Sequence, residues 1–213
     1  PAKEVGGDLY DFYMDDNHLY FLIGDVSGKG VPASLFMAIT RSLFRTLSQH
    51  VLSPAKIVTE MNNSISDNNE SNMFVTLIVG ILDLETGILK LCNAGHNPPI
   101  LIYPDGQVSY LEFKTQIFVG VVEDFKYSDE EVVLEKESKL FLYTDGVTEA
   151  ENINKELYGE EKLLEMLSDN ASSDVRTTVN VVVDSIASHV KEAEASDDLT
   201  ILLIQYEPGT ANS

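Results

Sequence analysis

Five aspartates in this chain, each of which stands beside glycine or beside another aspartate, are candidates for shared chemistry, and most of them lie at one end of an apolar run. They are Asp8, Asp25, Asp145, Asp197 and Asp198. An all-oxygen cluster of carboxylates, without His or Cys, suits Mg²⁺ or Mn²⁺ and suits zinc poorly. A fold that brings these residues together would therefore provide a site for a hard divalent metal ion.

Asp25 ends the apolar run at residues 19–23, which predicts a buried strand. Gly28 and Gly30 follow it and indicate a tight turn, and Pro32 suits the first turn of a helix. The strand, turn and helix would hold one carboxylate beside open backbone, which is good geometry for a metal ion or a phosphate. Considered alone, the segment fits equally well as an ordinary corner of the fold with an aspartate in its turn.

The order of the strands predicts that the other aspartates converge on Asp25. Alternating residues after Asp8 and the turn that follows them predict a hairpin, whose antiparallel pairing would place Asp8 across from Asp25. A later apolar run ends at Asp145, whereas the last one follows Asp197 and Asp198. An antiparallel strand presents its start where its neighbours present their ends, so all of these carboxylates can meet at one rim.

The rest of the sequence predicts helices and short strands. Apolar residues at helical spacing predict helices at 32–49, 53–66, 159–167 and 175–192. Runs bounded by turn residues predict strands at 73–82, 88–94, 99–103, 107–113, 130–134 and 139–143. The three strands between residues 73 and 103 are expected to form a meander of hairpins.

Two other residues with reactive side chains are expected to be structural. His96 lies in a loop that contains two prolines. It could act there as a proton donor or a ligand, but a lone loop histidine is more often structural. Cys92 is the single cysteine and has apolar neighbours, so we expect a buried small hydrophobe rather than a reactive thiol.

The composition fits one domain and excludes several classes of partner. The chain has 213 residues, 44% of them hydrophobic, and no linker-like stretch divides it. The net charge of −21 repels nucleic acid and anionic lipid surfaces. The lack of a long apolar segment or a signal pattern predicts no membrane insertion and a cytoplasmic location. Because the chain starts at Pro1 without Met, we expect residues 1–213 to be one domain of a longer protein, truncated at its N-terminal edge.

Five motifs occur in a fixed order over nearly the whole chain. They are Gly6-Gly7-Asp8, Gly24-Asp25-Val26-Ser27-Gly28-Lys29-Gly30, Asn93-Ala94-Gly95-His96, Thr144-Asp145-Gly146-Val147-Thr148-Glu149 and Asp197-Asp198-Leu199-Thr200. In this order they resemble the motifs of the bacterial SpoIIE/RsbU-type serine phosphatases, a branch of the metal-dependent PP2C (PPM) phosphatase family.

The resemblance implies an α+β fold, a PP2C-like α-β-β-α sandwich in which two antiparallel sheets flanked by helices hold a two-metal site. It implies that Asp25 bridges two Mn²⁺ or Mg²⁺ ions and that the backbone carbonyl of Val26 ligates one of them. Asp145 and Asp197 would complete the second ion's shell, Asp8 would act through a bound water, and some relatives hold a third ion. Water activated by the two metals would attack phosphorus, which makes Asp25, Asp145 and Asp197 the implied catalytic residues.

Some assignments stay open within the resemblance. Asp197 is preferred to Asp198 as the ligand because the first acidic residue of the last motif has that role in the family. Eukaryotic members have Asp-Gly-His where this chain has Asp25-Val26-Ser27, and they carry a phosphate-binding arginine where this chain has none before Arg41. The bacterial branch shares both differences, which implies altered substrate handling, and no residue is assigned as the general acid.

The resemblance also implies a substrate and partners. The substrate would be a phosphoserine or phosphothreonine on a STAS-domain anti-anti-sigma protein, within sigma factor regulation. An upstream sensor or receiver domain in the same chain and homodimerisation are implied as well, with the helices at 32–49 and 53–66 as contact points. Two alternatives remain: a catalytically weak signalling or binding module with the same fold, and a small-molecule phosphatase.

Overall fold

The computed structural model describes residues 6–67, 69, 72–193 and 197–208. Residues 1–5, where the truncated edge is expected, lie outside the described residues. The strands are Leu9–Asp15 (β1), His18–Val26 (β2), Val75–Asp83 (β3), Ile88–Ala94 (β4), Ile100–Ile102 (β5), Val108–Tyr110 (β6), Glu130–Val133 (β7), Lys139–Tyr143 (β8) and Ile201–Gln205 (β9). The helices are Val31–Leu47 (α1), Pro54–Ser66 (α2), Glu160–Asp169 (α3) and Val175–Val190 (α4), and a short 3-10 helix covers Asp145–Val147.

The strands form two antiparallel sheets. One sheet has the order β1-β2-β3-β4-β7, and the other has the order β6-β5-β8-β9. One apolar cluster joins α1 and α2 to the first sheet, a second fills the space between the sheets, and a third joins α3 and α4 to the second sheet. The layers are therefore helices, sheet, sheet and helices, which confirms the predicted sandwich.

The sequence of β2 shows why its residues form an inner strand. Tyr20 and Leu22 belong to the cluster under α1 and α2, whereas Phe21 and Ile23 belong to the cluster between the sheets. All four are buried. A strand with both faces covered reads as a continuous apolar run rather than an alternating one, so the run that predicted this strand also marks it as part of the inner layer.

The predicted meander between residues 73 and 103 is wrong in one connection. β3 and β4 pair as expected, but β4 pairs next with β7, and β5 pairs with β6 and β8 in the other sheet. The chain leaves the first sheet at Gly95, whose φ of +80° favours glycine. Pro98 and Pro99 then follow, and proline has no N–H to donate to a ladder. The segment is a crossover between the sheets, not a hairpin.

The other predicted elements are present, most of them with shifted ends. Ser53 caps α2 as expected, since its side chain accepts a hydrogen bond from the backbone N–H of Lys56. Asp174 caps α4 by accepting from the N–H of Thr177. The last strand begins at Ile201 rather than directly after Asp198. No helix in the described ranges combines the length and the apolar character that a membrane crossing requires.

Two arginines of α1 bind the buried carboxylate of Asp11 and fix the helix against the edge strand β1. The carboxylate of Asp11 accepts from Arg45 Nε at 2.6 Å and Arg45 Nη2 at 2.5 Å, and from Arg41 Nε at 3.1 Å. The side chain of Asp11 is 5% exposed, whereas both arginines remain largely in contact with solvent. Because α1 follows directly from the turn after Asp25, this clamp helps to hold the helix that leads out of the candidate site.

Candidate metal centre

The first hairpin brings Asp8 and Asp25 together. β1 and β2 pair with Leu9 opposite Gly24, so the register places Asp8 opposite Asp25. The charge of Asp8 raises the pKa of Asp25, as expected for two carboxyl groups that lie close together. The predicted juxtaposition of these two aspartates is therefore confirmed.

The second half of the cluster comes from the other sheet. β8 ends at Tyr143, which pairs with Ile201 at the start of β9. The backbone N–H of Thr144 continues this ladder by donating to the carbonyl of Thr200 at 3.1 Å. Asp145 then opens the 3-10 helix, and the segment with Asp197 precedes β9. As predicted, the end of one strand and the approach to its antiparallel neighbour lie at the same rim.

Burial and like charges together determine the electrostatics of the cluster. Burial, followed by the charges of Asp8 and Asp145, raises the pKa of Asp25 to about 8, and Asp197 adds to the effect. Burial and the charge of Asp197 also raise the pKa of Asp145, against the N–H of Gly146 and the charge of Lys29. Asp25 thus interacts with carboxylates from both sheets, and a cation placed among them would relieve their repulsion.

Thr144 connects the two halves through one hydroxyl. Its Oγ1 donates to Asp8 Oδ2 at 2.7 Å and accepts from the N–H of Thr200 at 3.1 Å. The side chain is fully buried. Burial raises the pKa of Asp8, and the hydrogen bonds from Thr144 and Thr200 act in the opposite direction. Asp8 is therefore held by the second sheet as well as by its own hairpin.

Asp197 and Asp198 occupy different environments. Asp197 Oδ2 lies 3.0 Å from Lys29 Nζ, and both side chains are well exposed to solvent. Asp198 is buried, and its Oδ2 accepts from the N–H of Gly7 at 2.8 Å.

The two aspartates also affect different members of the cluster. The charge of Asp197 raises the pKa values of Asp25 and Asp145, whereas the charge of Asp198 raises the pKa of Asp8. The arrangement favours Asp197 as the ligand and Asp198 as a link to the backbone of the Gly6-Gly7 segment.

Three glycines allow the segments around the cluster to approach closely. A Cβ on Gly6 would lie 2.1 Å from Asp198 Oδ2, and one on Gly146 would lie 1.8 Å from the backbone oxygen of Asp198. A Cβ on Gly7 would lie 3.0 Å from the carbonyl oxygen of Val26 and 3.4 Å from Asp25 Oδ1. The glycine at position 7 therefore keeps space open beside two of the predicted ligands.

The residues present fit a hard divalent cation, although their side chains are not arranged around one. Among the described residues, no three His, Cys, Asp or Glu side chains form a group that could hold a metal ion as they stand. Two of the candidates have other partners, since Asp8 bonds to Thr144 and Asp197 bonds to Lys29. The all-oxygen donors, the raised pKa of Asp25 and the space beside Gly7 are the features of a site for Mg²⁺ or Mn²⁺.

Three residues near the cluster were not assigned roles from the sequence. Thr144 and Lys29 make the contacts described above, and burial together with the charges of Asp145 and Asp197 raises the pKa of Glu149. Each of them lies within one of the five sequence motifs, and that position is the signal that could have identified it. The contacts themselves depend on tertiary structure, because the Lys29–Asp197 pair spans 168 positions of sequence.

The structural interpretation of His96 and Cys92 is confirmed. Both side chains are buried. The ring of His96 bonds to Thr76 and to the backbone of Tyr143 rather than facing solvent. Burial, more than the charge of Asp129, raises the pKa of the Cys92 thiol, which leaves it uncharged at neutral pH and unreactive.

The chain is similar in sequence and fold to several known proteins. Residues 15–207 match the family model for Stage II sporulation protein E (SpoIIE). The phosphoserine phosphatase RsbU of Bacillus subtilis is 27% identical and covers 96% of this chain and 61% of its own length. The SiaA-PP2C domain of Pseudomonas aeruginosa has a TM-score of 0.87 at 22% identity, with 97% of this chain and 83% of that chain covered. RsbX, solved in complex with magnesium, has a TM-score of 0.71 at 20% identity, with 95% and 88% covered.

The chain spans only part of the curated relatives that it matches. Its share of their length runs from 34% to 61%. The similarity therefore concerns one region of those longer proteins.

Proposed function

This chain belongs to the SpoIIE family, and on that premise we propose that it is a metal-dependent protein serine/threonine phosphatase. The observation that carries the proposal is the cluster at the rim between the sheets. Asp25 interacts there with Asp8 from its own hairpin and with Asp145 and Asp197 from the other sheet. A buried group of like charges is costly to maintain, and a binding role for cations explains why the chain keeps it.

In the proposed site Asp25, the carbonyl of Val26, Asp145 and Asp197 would hold two divalent cations, Mn²⁺ or Mg²⁺, and Asp8 would act through water. Such ions supply Lewis-acid charge for a phosphoryl group and lower the pKa of water that attacks it. The chain's own contribution is positioning: Thr144 fixes Asp8, and the ladder between β8 and β9 fixes Asp145 relative to Asp197. No covalent intermediate on the protein is required.

The charge of the chain is compatible with a phosphorylated substrate only if cations are bound. The net charge of −21 would repel a phosphate group at long range. Lys29 is a cation that already lies at the site, 3.0 Å from Asp197. Bound divalent ions would supply the larger part of the positive field.

The proposed substrate is a phosphoserine or phosphothreonine on a STAS-domain anti-anti-sigma protein. Support comes from the similarity to RsbU, which is named a phosphoserine phosphatase. A cytoplasmic location, an upstream sensor or receiver domain and a homodimer belong to the same proposal, with α1 and α2 as the contact surfaces.

The test is release of phosphate by the metal-loaded chain from three kinds of substrate. These are a phosphorylated STAS protein, a phosphoserine peptide and a panel of nucleotide and sugar phosphates. We expect turnover with Mn²⁺ or Mg²⁺, none with EDTA, and the highest kcat/KM for the phosphorylated protein. The Asp25→Asn variant serves as the inactive control.

Each alternative corresponds to a distinct result. Higher kcat/KM for a nucleotide or a sugar phosphate would show a small-molecule phosphatase. Folded protein that binds Mn²⁺ but hydrolyses none of the substrates would show a binding module that keeps the fold without the chemistry.

A further inference from the structure

His96 connects the two sheets through residues that neighbour the candidate metal centre. It lies in the crossover between β4 in the first sheet and β5 in the second. Its side chain is buried, with Nδ1 at 2.9 Å from Thr76 Oγ1 and Nε2 at 3.1 Å from the carbonyl oxygen of Tyr143. One ring therefore bonds to β3 on one side and to β8 on the other.

Both contacts lie next to predicted metal ligands. Thr76 is the direct partner of Asp25 in the antiparallel pairing of β2 and β3. Its Oγ1 also lies 3.4 Å from the backbone oxygen of Asp25. Tyr143 is the last residue of β8, two positions before Asp145. The imidazole thus bridges the strand that supports Asp25 and the strand that ends at Asp145.

The partners fix the protonation and tautomer of the ring. A carbonyl oxygen can only accept, so Nε2 must carry the hydrogen that is donated to Tyr143. Burial lowers the pKa of His96 to about 4, so the ring is neutral at pH 7. Nδ1 therefore accepts, and the hydroxyl of Thr76 donates to it. The Thr76 hydroxyl has one hydrogen. Its contact with His96 Nδ1, at 2.9 Å, is shorter than its contact with the backbone oxygen of Asp25, at 3.4 Å, so the hydrogen is donated to His96.

The backbone around His96 is itself fixed. The side chain of Asn93 accepts from the N–H of His96 at 2.8 Å and donates to its carbonyl oxygen at 3.0 Å. A Cβ on Gly95 would lie 1.9 Å from the ring of Phe118. The turn therefore holds the imidazole in one position, and β3 and β8 are both bonded to this fixed ring.

We propose that His96 is a positioning residue that sets the separation between the Asp25 half and the Asp145 half of the metal centre by tying Thr76 to Tyr143. The proposal rests on the proposed metal-dependent function. Ligands to a shared pair of ions must be spaced to within a fraction of an ångström. The two halves belong to different sheets, so no strand ladder sets their spacing. The two bonds of His96 therefore add to the bond from Thr144 to Asp8 in setting it.

The experiment compares Mn²⁺ binding by the metal-free chain, measured by titration calorimetry, across four proteins. These are the parent, His96→Leu, Thr76→Val and the control Lys139→Met. Lys139 is also a buried polar residue with two hydrogen bonds to backbone carbonyls, those of Ala171 and Ser173, but it lies at the opposite end of β8. Thermal unfolding in EDTA reports the stability of each protein separately from metal binding.

We expect His96→Leu to weaken Mn²⁺ binding by about 10-fold, the lower end of the cost of changing a group bonded directly to a ligand, because His96 acts on the neighbours of the ligands. Thr76→Val removes one of the two bonds and should weaken binding by a smaller factor in the same direction. Lys139→Met should lose stability but bind Mn²⁺ as the parent does. His96→Gln, which retains a donor and an acceptor, should recover part of the lost affinity. If His96→Leu does not fold, the comparison of Thr76→Val with the parent decides.

The possible failures are distinguishable. Parental Mn²⁺ affinity in both His96→Leu and Thr76→Val would overturn the role of His96 and leave the proposed function intact. A parent chain that binds Mn²⁺ but hydrolyses no phosphoester would overturn the proposed function, while the affinities would still test His96. A parent chain that binds no Mn²⁺ would overturn both.

Discussion

Asp25 is the residue at which the electrostatic conflict of the site is greatest. Its carboxyl has a pKa of about 8 because it is buried and faces Asp8, Asp145 and Asp197. A native-state pKa above the ordinary value of 3.8 means that ionisation of Asp25 costs stability as the pH rises from about 4 towards 8. An ionised aspartate at this position therefore lowers the stability of the fold, and a bound cation would offset that loss.

Replacing Asp25 by asparagine should separate stability from function. In EDTA at pH 8 we expect the variant to have a higher melting temperature than the parent, because the neutral amide removes one charge from the cluster. Hydrolysis in the presence of Mn²⁺ should fall by more than about 100-fold, since a direct ligand is expected to matter more than an outer-shell partner.

The matched control for Asp25→Asn is Asp16→Asn. Asp16 is exposed in the turn of the same hairpin, at the end away from Asp8, and asparagine tolerates its positive φ of 49°. The Asp16→Asn substitution removes the same charge, and it should leave the melting temperature in EDTA and the Mn²⁺-dependent hydrolysis unchanged. A lower melting temperature for Asp25→Asn in EDTA would contradict the repulsion that we infer.

Thr144→Val tests the connection between the sheets at a single hydroxyl. Valine has nearly the same shape, but it removes the bond from Thr144 to Asp8 and leaves the N–H of Thr200 without its acceptor. We expect the free energy of unfolding, measured with urea in EDTA, to fall by about 1–3 kcal/mol. Thr178→Val is the control, because that hydroxyl is also buried but bonds only within its own helix, to the carbonyl of Asp174. An equal loss in both variants would show that Thr144 contributes no more than an ordinary buried hydroxyl.

At the scale of elements, the clamp between β1 and α1 depends on pH. Burial alone would raise the pKa of Asp11, but the hydrogen bonds and charges of Arg45 and Arg41 outweigh it and lower the pKa below the ordinary value of 3.8. The clamp therefore stabilises the fold fully above pH 4, and its contribution is lost as the pH falls through the native pKa of Asp11.

Asp11→Asn should lower the free energy of unfolding at pH 7 by about 1–3 kcal/mol, because the two arginines would then donate to a neutral amide instead of a carboxylate. The difference from the parent should shrink as the pH is lowered below 4. Urea unfolding between pH 3 and 7 measures both effects. Asp15→Asn, at an exposed position of the same strand, is the control. A difference that stays constant over this range would show that the charge of Asp11 is not what the arginines recognise.

The elements of this chain were predictable wherever a local pattern decides the structure. The bounds of β4 and β8 follow from apolar runs between turns, and the antiparallel hairpin alone places Asp8 opposite Asp25. The pairing of β4 with β7 was not predictable, because it depends on which sheet the chain joins after Gly95. Local patterns do not encode the choice between two sheets when both offer an apolar face.

The candidate site was likewise predictable only in part. The aspartates could be listed from the sequence, since each stands at a strand end or beside glycine. Their partners could not, because the bonds from Thr144 to Asp8 and from Gly7 to Asp198 span 136 and 191 positions. Such contacts exist only after both sheets have formed, and they determine which carboxylates remain available to a cation.

At the scale of the whole molecule, the cluster is one part of a strongly acidic chain with a net charge of −21. Two effects of cations must therefore be separated. Salt screens exposed charges over a Debye length of about 10 Å at 0.1 M, which weakens repulsion across the whole surface. A divalent ion that binds the native state at one place adds stability by mass action instead.

Mn²⁺ should raise the melting temperature of the parent chain far more than NaCl of equal ionic strength does. A concentration of 100 times the dissociation constant stabilises a protein by about 2.7 kcal/mol, which for a chain of this length corresponds to roughly 5–10 °C. The gain in melting temperature should increase from pH 6 to pH 8, because a cation that binds Asp25 must displace its proton, and Asp25 has a pKa of about 8.

Differential scanning fluorimetry of the parent, Asp25→Asn and Asp16→Asn distinguishes specific binding of Mn²⁺ from screening of surface charge. We expect the specific gain in the parent and in Asp16→Asn and only the NaCl-like gain in Asp25→Asn. Equal gains in all three would assign the Mn²⁺ effect to the acidic surface as a whole and would remove the support that charge gives to a metal centre at Asp25.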